Sequence, residues 1–315
     1  MFAIGVDIGG TSIKGAAISK DGVVGNVFSL PIDKKATQEE IVYQLIDAIN
    51  NYIKEQGFNR EDILGIGCGI PGVSDTRAGV VTYSNNLQWY ELPIVEMIQK
   101  GTGLPVRITN DANAAALGEA KFGAGKKFKD ILTVAIGTGV GGGIIIDGKL
   151  YEGHLGKAAE IGHMVVVVDG ELCTCGRLGC LEAYCSAPAL IKACQKAMDE
   201  HPDTKLFDAV KKFGKLDARA PFEAERMGDP YAHEIVETYI KYLGEGLLNY
   251  FNIFRPEIVV MTGGVSNEGE YLFKRLRQYS RERYHGFRGT PEVLIMPSEL
   301  GYDAGKIGAA SLFYE

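Results

Sequence analysis

Apolar residues spaced four apart predict an amphipathic helix over residues 37–56. The members of this stripe are Ile41, Leu45, Ile49 and Ile53. Thr37 followed by Glu40 is the capping-box spacing typical of a helix start. The same periodicity predicts a long core helix over 232–254, whereas the more polar stretch 198–230 is expected to form peripheral helical structure. Both stripes are interpreted as packing surfaces.

Two segments share a pattern of apolar strand, glycine-dense turn with a hydroxyl residue, and second apolar strand. They read "AIGVDIGGTSIKGAAI" (3–18) and "LTVAIGTGVGGGIII" (132–146). Each predicts a hairpin whose turn exposes its backbone. A third segment, "EIVVMTGGVS" (257–266), predicts a buried strand that ends in Gly-Gly before a helix. The recurrence of the hairpin pattern predicts two similar α/β halves.

Composition narrows the class of protein. The chain has 315 residues, of which 46% are hydrophobic and 23% charged, as in ordinary globular proteins with a large core. A net charge of −7 argues against a broad basic face for nucleic acid. The apolar runs are too short to span a bilayer, and the first residues lack the pattern of a secretory signal. We therefore expect a cytoplasmic protein that binds neither nucleic acid nor membrane.

In a reducing compartment the six cysteines are not expected to form a disulfide framework. Cys68, Cys185 and Cys194 stand apart and are expected to be plain buried thiols. The other three lie within "CTCGRLGC", and His163 of "EIGH" precedes them by ten residues. His163, Cys173, Cys175 and Cys180 together make a tetrahedral Cys₃His set typical of structural zinc. The alternative is a surface loop of reduced, free cysteines.

The turn of the first hairpin carries groups suited to a phosphate. Gly9 and Gly10 let backbone N–H groups approach a ligand, Thr11 adds a hydroxyl, and Lys14 adds positive charge. Asp7 ends the strand before the turn, where it could meet Mg²⁺ directly or through water. A plain glycine turn is the alternative. The similar stretch "GTGVGGG" (137–143) favours the functional interpretation, because two such loops can hold a polyphosphate from both sides.

Asn110 and Asp111 follow a strand and precede an alanine-rich helix. Asp and Asn are preferred N-cap residues, so capping alone could explain the pair. The helix dipole would also keep the Asp111 carboxylate ionised, as needed to accept a proton from a sugar hydroxyl. Both interpretations stay open at this point.

Five motifs, in their order along the chain, resemble those of the ROK family (repressors, open reading frames and kinases). They are "DIGGTSIK" (7–14), "TNDANAAALGE" (109–119), "AIGTGVGGGIIIDGKL" (135–150), "EIGH" (160–163) and "CTCGRLGCLE" (173–182). The resemblance implies the actin-like, hexokinase-type α/β fold, with two ribonuclease-H-like domains flanking a cleft. On this basis we expect a smaller domain from 1–112 plus about 301–315, and a larger domain from 113–300 with the zinc site.

The resemblance also implies a function: ATP-dependent phosphorylation of a hexose, with glucose and its 6-hydroxyl as the first expectation. Asp111 would be the general base. The residues implied to bind the sugar are Gly72, Asn85, Asn110, Asp111, Glu160, His163 and Glu182. Those implied to bind ATP, with Mg²⁺, are Asp7, Gly9, Gly10, Thr11, Lys14, Thr138, Gly139, Gly263 and Gly264. A homodimer or homotetramer is expected.

Several alternatives remain. Many bacterial glucokinases of this family have glycine just before the glutamate of "EIGH", and here Ala159 takes that place. An N-acetylmannosamine or N-acetylglucosamine kinase and a fructokinase are therefore kept as alternatives. A transcriptional repressor is the least favoured, because "VDIGGT" begins at residue 6 and the chain is acidic. A filament-forming ATPase of the same fold would have no use for the zinc cluster.

Overall fold

The computed structural model describes residues 1–284 and 289–314. The strands in these ranges are β1 (Phe2–Ile8), β2 (Ser12–Ser19), β3 (Val24–Pro31), β4 (Ile63–Ile70), β5 (Val73–Asp75), β6 (Val80–Ser84), β7 (Trp89–Leu92), β8 (Val106–Asn110), β9 (Ile131–Ile136), β10 (Val140–Ile146), β11 (Lys149–Leu150), β12 (Ile258–Thr262) and β13 (Leu294–Pro297). The helices are α1 (Gln38–Glu55), α2 (Ile94–Thr102), α3 (Asp111–Phe122), α4 (Glu182–Cys185), α5 (Ala187–Glu200), α6 (Leu206–Phe213), α7 (Ala220–Arg226), α8 (Pro230–Phe254), α9 (Glu270–Arg283) and α10 (Ala304–Ala310).

The strands form two five-stranded sheets and one smaller sheet. The first sheet has the order β3-β2-β1-β4-β8, the second β11-β10-β9-β12-β13, and the small one β5-β6-β7. β1 and β2 pair antiparallel, so the predicted first hairpin is confirmed. β4 runs parallel to both β1 and β8, and the three strands therefore end at the same edge of the sheet. Residues that follow parallel strands at such an edge lie near one another.

The predicted helices form for the expected reasons. α1 begins with a complete capping box, in which the Thr37 side chain accepts from the Glu40 backbone and the Glu40 side chain accepts from the Thr37 backbone. Its apolar stripe is buried against the first sheet. α8 is a 25-residue helix capped by Asp229, and the predicted peripheral segment contains α6 and α7. Among the helices described here, none combines the length and the apolar character needed to cross a bilayer.

Contacts within the chain define two compact units. The first unit comprises Met1–Thr133, Gly143–Ala159 and Ser298–Glu315, and the second comprises Val134–Gly142 and Glu160–Pro297. In the first unit α10 packs closely on α3, since a Cβ added at Gly308 would lie 1.6 Å from the backbone oxygen of Ala114. The domain boundaries expected from the sequence stay a prediction. Cys68, Cys185 and Cys194 are buried free thiols, as predicted.

Candidate active site and metal centre

The first unit presents the turn between β1 and β2 as an open backbone loop. The Gly9 N–H donates to the Ser12 carbonyl at 3.0 Å and closes the turn. The Ile32 N–H donates to the Thr11 carbonyl at 3.0 Å, and Thr11 is exposed to solvent. A Cβ added at Gly10 would meet nothing nearer than the Cβ of Asn86 at 3.9 Å. A ligand can therefore approach this backbone without obstruction.

The Asp7 carboxyl lies at the end of β1, against the start of α10. A Cβ added at Gly305 would lie 3.0–3.3 Å from its carboxyl atoms. Burial raises the pKa of Asp7, while the positive charges of Lys306 and Lys14 oppose this effect. Lys14 is the cross-strand partner of Asp7, and Lys306 is buried and ion-paired with Asp303. The sequence analysis did not single out Lys306. The available signal was a lysine inside the small-residue stretch "AGKIGAA".

Asn110, not Asp111, caps α3. The Asn110 Oδ1 accepts from the Ala112 N–H at 2.8 Å and more weakly from the Asn113 N–H at 3.4 Å. Asp111 is the half-buried first residue of the helix, and its Oδ1 accepts from the Ala112 N–H at 2.9 Å. The Asn110 Nδ2 donates to the Gly72 carbonyl at 2.9 Å and joins these predicted sugar contacts. Capping does not by itself explain the aspartate.

Asn85 lies in the exposed turn between β6 and β7. Its side-chain oxygen accepts from the Tyr83 hydroxyl at 3.0 Å, and the Gln88 side-chain amide donates to the Asn85 carbonyl at 2.6 Å. The Tyr83 bond occupies the side-chain oxygen of Asn85, and the Gln88 bond holds the Asn85 backbone in the turn. Tyr83 was not singled out by the sequence analysis.

In the second unit, the turn Gly137–Val140 joins β9 to β10. The Gly137 N–H donates to the Gly139 carbonyl at 2.9 Å, and the Ala187 N–H donates to the Gly137 carbonyl at the same distance. A Cβ added at Gly139 would lie only 2.4 Å from Oε2 of Glu182, so a larger residue there would displace that carboxylate. Thr138 stands at the exposed tip of this turn.

Gly263 and Gly264 follow β12 in the second unit. Gly263 has φ +91°, and a Cβ there would lie 2.2 Å from the Ile136 carbonyl oxygen at the end of β9. The Ser266 hydroxyl donates to the Gly263 carbonyl at 2.6 Å and holds the bend. Gly263 therefore lets the end of β12 lie close to the end of β9, whereas a Cβ added at Gly264 would meet nothing within 4 Å.

The four predicted metal ligands lie together. The ligand atoms of His163, Cys173, Cys175 and Cys180 are all within 4.8 Å of one another. The Cys175 and Cys180 sulfurs are 3.7 Å apart, and the Cys173 sulfur is 3.5 Å from His163 Nδ1. With Zn–S bonds of about 2.3 Å, two thiolates at corners of a tetrahedron are about 3.8 Å apart. The set therefore fits a four-coordinate zinc ion.

Two acidic residues flank this Cys/His cluster. Glu182 is buried, and its carboxylate accepts from the Thr174 hydroxyl at 2.6 Å and from the Val140 N–H at 3.0 Å. Glu160 is exposed to solvent as a residue, but partial desolvation of its carboxyl by the surrounding protein raises the pKa of that group. His163 opposes that rise, and the negative charge of Glu182 adds to it.

The predicted site residues are divided between the two units. Those of the first unit are Asp7, Gly9, Gly10, Thr11, Lys14, Gly72, Asn85, Asn110 and Asp111. Those of the second are Thr138, Gly139, Glu160, His163, Cys173, Cys175, Cys180, Glu182, Gly263 and Gly264. The link from Thr174 to Glu182 was missed, because a threonine between two cysteines carries no signal by itself.

Comparison with known proteins gives consistent matches over the whole chain. The family model described as "ROK family" matches residues 3–315. A glucokinase of Halalkalibacterium halodurans is 36% identical over 310 residues, which cover 98% of this chain and 94% of that protein. A xylose repressor of Bacillus subtilis is 30% identical over 312 residues, which cover 99% of this chain and 76% of the repressor.

Among solved structures, a ROK family glucokinase from Streptomyces griseus in complex with glucose and AMPPNP superposes with a TM-score of 0.84. It is 34% identical in sequence, and the match covers 99% of both chains. The predicted α/β fold of the actin-like, hexokinase type is confirmed by this likeness.

Proposed function

This chain belongs to the ROK family, and on that premise we propose that it is an ATP-dependent glucokinase that phosphorylates the 6-hydroxyl of glucose. The observation that carries the proposal is the pair Asn110 and Asp111: the amide caps the helix and leaves the carboxylate at its first residue. The names of similar proteins point the same way, since the relative from H. halodurans is a glucokinase and the S. griseus enzyme was solved with glucose and an ATP analogue.

In this proposal Asp111 is the general base. Its carboxylate accepts the proton of the sugar 6-hydroxyl, and the hydroxyl oxygen attacks the γ-phosphorus of ATP. The bond from that phosphorus to the β,γ-bridging oxygen breaks, and ADP leaves with the electron pair. General-base assistance of this kind contributes about 10²–10⁴-fold to rate. The positive end of a helix dipole stabilises negative charge at the first turn, which suits a general base in that position.

The remaining sugar hydroxyls are assigned to Gly72, Asn85, Asn110, Glu160, His163 and Glu182. Each hydroxyl both donates and accepts, and carboxylates, amides and imidazole supply the matching partners. Glu182 has two oxygens with about four lone-pair sites, so its contacts with Val140, Thr174 and Cys173 leave acceptor capacity for a sugar. The Asn110 side chain donates to the Gly72 carbonyl, so two of the residues assigned to the sugar are hydrogen-bonded to each other.

ATP is assigned to the two glycine turns and to the Gly263-Gly264 bend. Backbone N–H groups of such turns and the hydroxyls of Thr11 and Thr138 suit phosphate oxygens. Lys14 adds positive charge. Asp7 would hold Mg²⁺, directly or through water, and the ion would supply charge neutralisation for the transferring phosphoryl group. His163, Cys173, Cys175 and Cys180 would hold zinc in a structural site.

A coupled assay of ADP release over a panel of hexoses tests this function. Glucose is expected to give the highest kcat/KM, above mannose, fructose, N-acetylmannosamine and N-acetylglucosamine. A higher kcat/KM with an N-acetyl sugar would replace glucokinase by an N-acetylhexosamine kinase, and a higher value with fructose would make the protein a fructokinase. ATP hydrolysis that does not respond to any sugar would favour the filament-forming ATPase.

The one observation that favours a regulator is the similarity to the B. subtilis xylose repressor. Sequence-specific binding to operator DNA in a mobility-shift assay, without sugar phosphorylation, would support that function.

Sedimentation velocity tests the expected homodimer or homotetramer.

A further inference from the structure

The Glu182 carboxylate joins the Cys/His cluster to the turn Gly137–Val140. The Cys173 sulfur, one of the predicted ligands, lies 3.6 Å from Oε1 of Glu182. The Thr174 hydroxyl donates to Oε1 of Glu182 at 2.6 Å. The backbone N–H of Val140 donates to Oε2 of the same carboxylate at 3.0 Å. All four residues lie in the second unit, and Glu182 is 9% exposed. A buried carboxylate with a partner on each oxygen has little freedom to move.

The position of the Thr174 hydroxyl is set by the cluster. Thr174 lies between Cys173 and Cys175, two of the four predicted ligands. The loop around it is closed by hydrogen bonds from Gly176 N–H to the Cys173 carbonyl and from Cys173 N–H to the Arg177 carbonyl, each 2.9 Å. A metal ion bound by both cysteines would fix their backbone, and with it the threonine between them.

The turn Gly137–Val140 packs closely against the Glu182 carboxylate. The space that a Cβ at Gly139 would need is occupied by Glu182 Oε2, 2.4 Å away. On its other side the turn lies against Gly162, where an added Cβ would be 2.0 Å from the Val140 carbonyl oxygen. A displacement of Glu182 would therefore change both a hydrogen bond and the packing of Gly139.

We propose that Thr174 and Glu182 are positioning residues that couple occupancy of the Cys/His cluster to the conformation of the turn Gly137–Val140. The metal-bound loop holds the Thr174 hydroxyl, the hydroxyl orients the Glu182 carboxylate, and the carboxylate holds the Val140 N–H. If the turn binds ATP phosphates, which rests on the proposed function, the cluster influences the nucleotide as well as the sugar.

The test compares Thr174→Val, which removes the hydroxyl with little change of shape, with Thr174→Ser, which keeps it. Zinc content is measured by elemental analysis, and amide hydrogen exchange is measured by mass spectrometry on peptides covering 137–140, all in zinc-loaded protein. Loss of the hydrogen bond that orients the Glu182 carboxylate is expected to raise exchange at least tenfold in Thr174→Val. Thr174→Ser is expected to exchange like the wild type.

Both variants are expected to keep one zinc per chain. Removal of zinc from the wild type with a chelator should raise exchange in the same peptides, and this rise should be smaller in Thr174→Val, whose turn is already released. Wild-type exchange in Thr174→Val would overturn the proposal. Loss of zinc in that variant would overturn it too, because Thr174 would then support the metal site itself.

Kinetics separate this coupling from the proposed function. In an active kinase, Thr174→Val is expected to raise the KM for ATP severalfold, and Thr174→Ser should restore it. If the wild type phosphorylates no hexose, the proposed function fails, while the exchange measurement still decides whether the link exists. Unchanged KM values for ATP in a variant with raised exchange would contradict the assignment of the turn to ATP and leave the link intact.

Discussion

The side chain of Asn110 caps the helix whose first residue is Asp111. Its oxygen accepts from the Ala112 N–H at 2.8 Å, while its nitrogen donates to the Gly72 carbonyl at 2.9 Å. One amide thus holds the helix start and a neighbouring loop, and it fixes the backbone that carries the aspartate. An asparagine before the aspartate is explained by this double contact, which an aspartate at 110 could not make because it lacks the N–H donor.

The first prediction concerns the assigned general base. Asp111→Asn is expected to lower kcat by about 10²–10⁴-fold, because the amide cannot accept the proton of the sugar hydroxyl. The cap at Asn110 is untouched, so the free energy of unfolding and the zinc content should stay near wild-type values. Steady-state kinetics with glucose and urea denaturation measure both. A variant with near-normal kcat would show that another group is the base.

The fold and much of the candidate site could be predicted because their signals are local in sequence. A capping box, a four-residue stripe and a glycine hairpin each depend on neighbours a few positions apart, and α1 and the β1–β2 hairpin formed accordingly. The Cys/His cluster could also be predicted, because three cysteines and a histidine lie close together in the sequence and are the donor types that zinc prefers.

What could not be predicted depends on contacts between distant residues. Glu182 was expected to bind sugar, and its protein partner Val140 lies 42 positions earlier in the chain. Lys306 approaches Asp7 only because α10 packs on β1, with a Cβ at Gly5 placed 1.9 Å from the Lys306 carbonyl oxygen. No periodicity or spacing in the sequence predicts such contacts between distant residues.

The second prediction concerns the metal. Cys175→Ser is expected to lose zinc and thermal stability together, because a structural zinc site contributes directly to folding energy. Elemental analysis and a thermal melt with and without added zinc measure the two effects. Cys194→Ser is the control for zinc content, since Cys194 stands outside the cluster. It should keep its zinc, and full zinc content in Cys175→Ser would rule out that ligand.

The third prediction concerns Ala159, which has φ +65° in the left-handed region. An L-residue with a Cβ costs about 1–2 kcal/mol in that conformation, whereas glycine adopts it freely. Glycine also loses more entropy on folding, by about 0.5–1 kcal/mol. Ala159→Gly is therefore expected to raise the free energy of unfolding by about 0.5–1 kcal/mol in urea denaturation.

The neighbouring Ala158 provides the control for that substitution, because it has no positive φ. Its Cβ occupies space next to Gly153, where an added Cβ would approach it to 2.5 Å. Ala158→Gly is expected to destabilise the protein. Equal destabilisation by both substitutions would mean that the backbone at Ala159 is not strained.

The fourth prediction concerns the pH dependence of stability at Glu225. This carboxylate, with 7% of its side chain exposed, accepts from Arg275 Nη1 at 2.9 Å, from the Tyr271 hydroxyl at 2.7 Å and pairs with His233 Nδ1 at 2.8 Å. Burial alone would raise its pKa, but the hydrogen bonds from Arg275, Tyr271 and His233 outweigh burial and lower the pKa below the ordinary value of 4.5.

Because the pKa is lower in the folded state, the unfolded chain binds more protons at acidic pH. The stabilisation from Glu225 is therefore fully present above about pH 4.5 and is lost as the pH falls through the folded-state pKa. Glu225→Gln is expected to be less stable than the wild type at pH 7, with a difference that shrinks as the pH falls below 4.5. Urea denaturation at pH 7 and at pH 4 measures this difference.

Glu237→Gln is the control, because Glu237 also pairs with Arg275 but is 55% exposed, and an exposed pair contributes little. A difference for Glu225→Gln that stays constant with pH would contradict the lowered pKa.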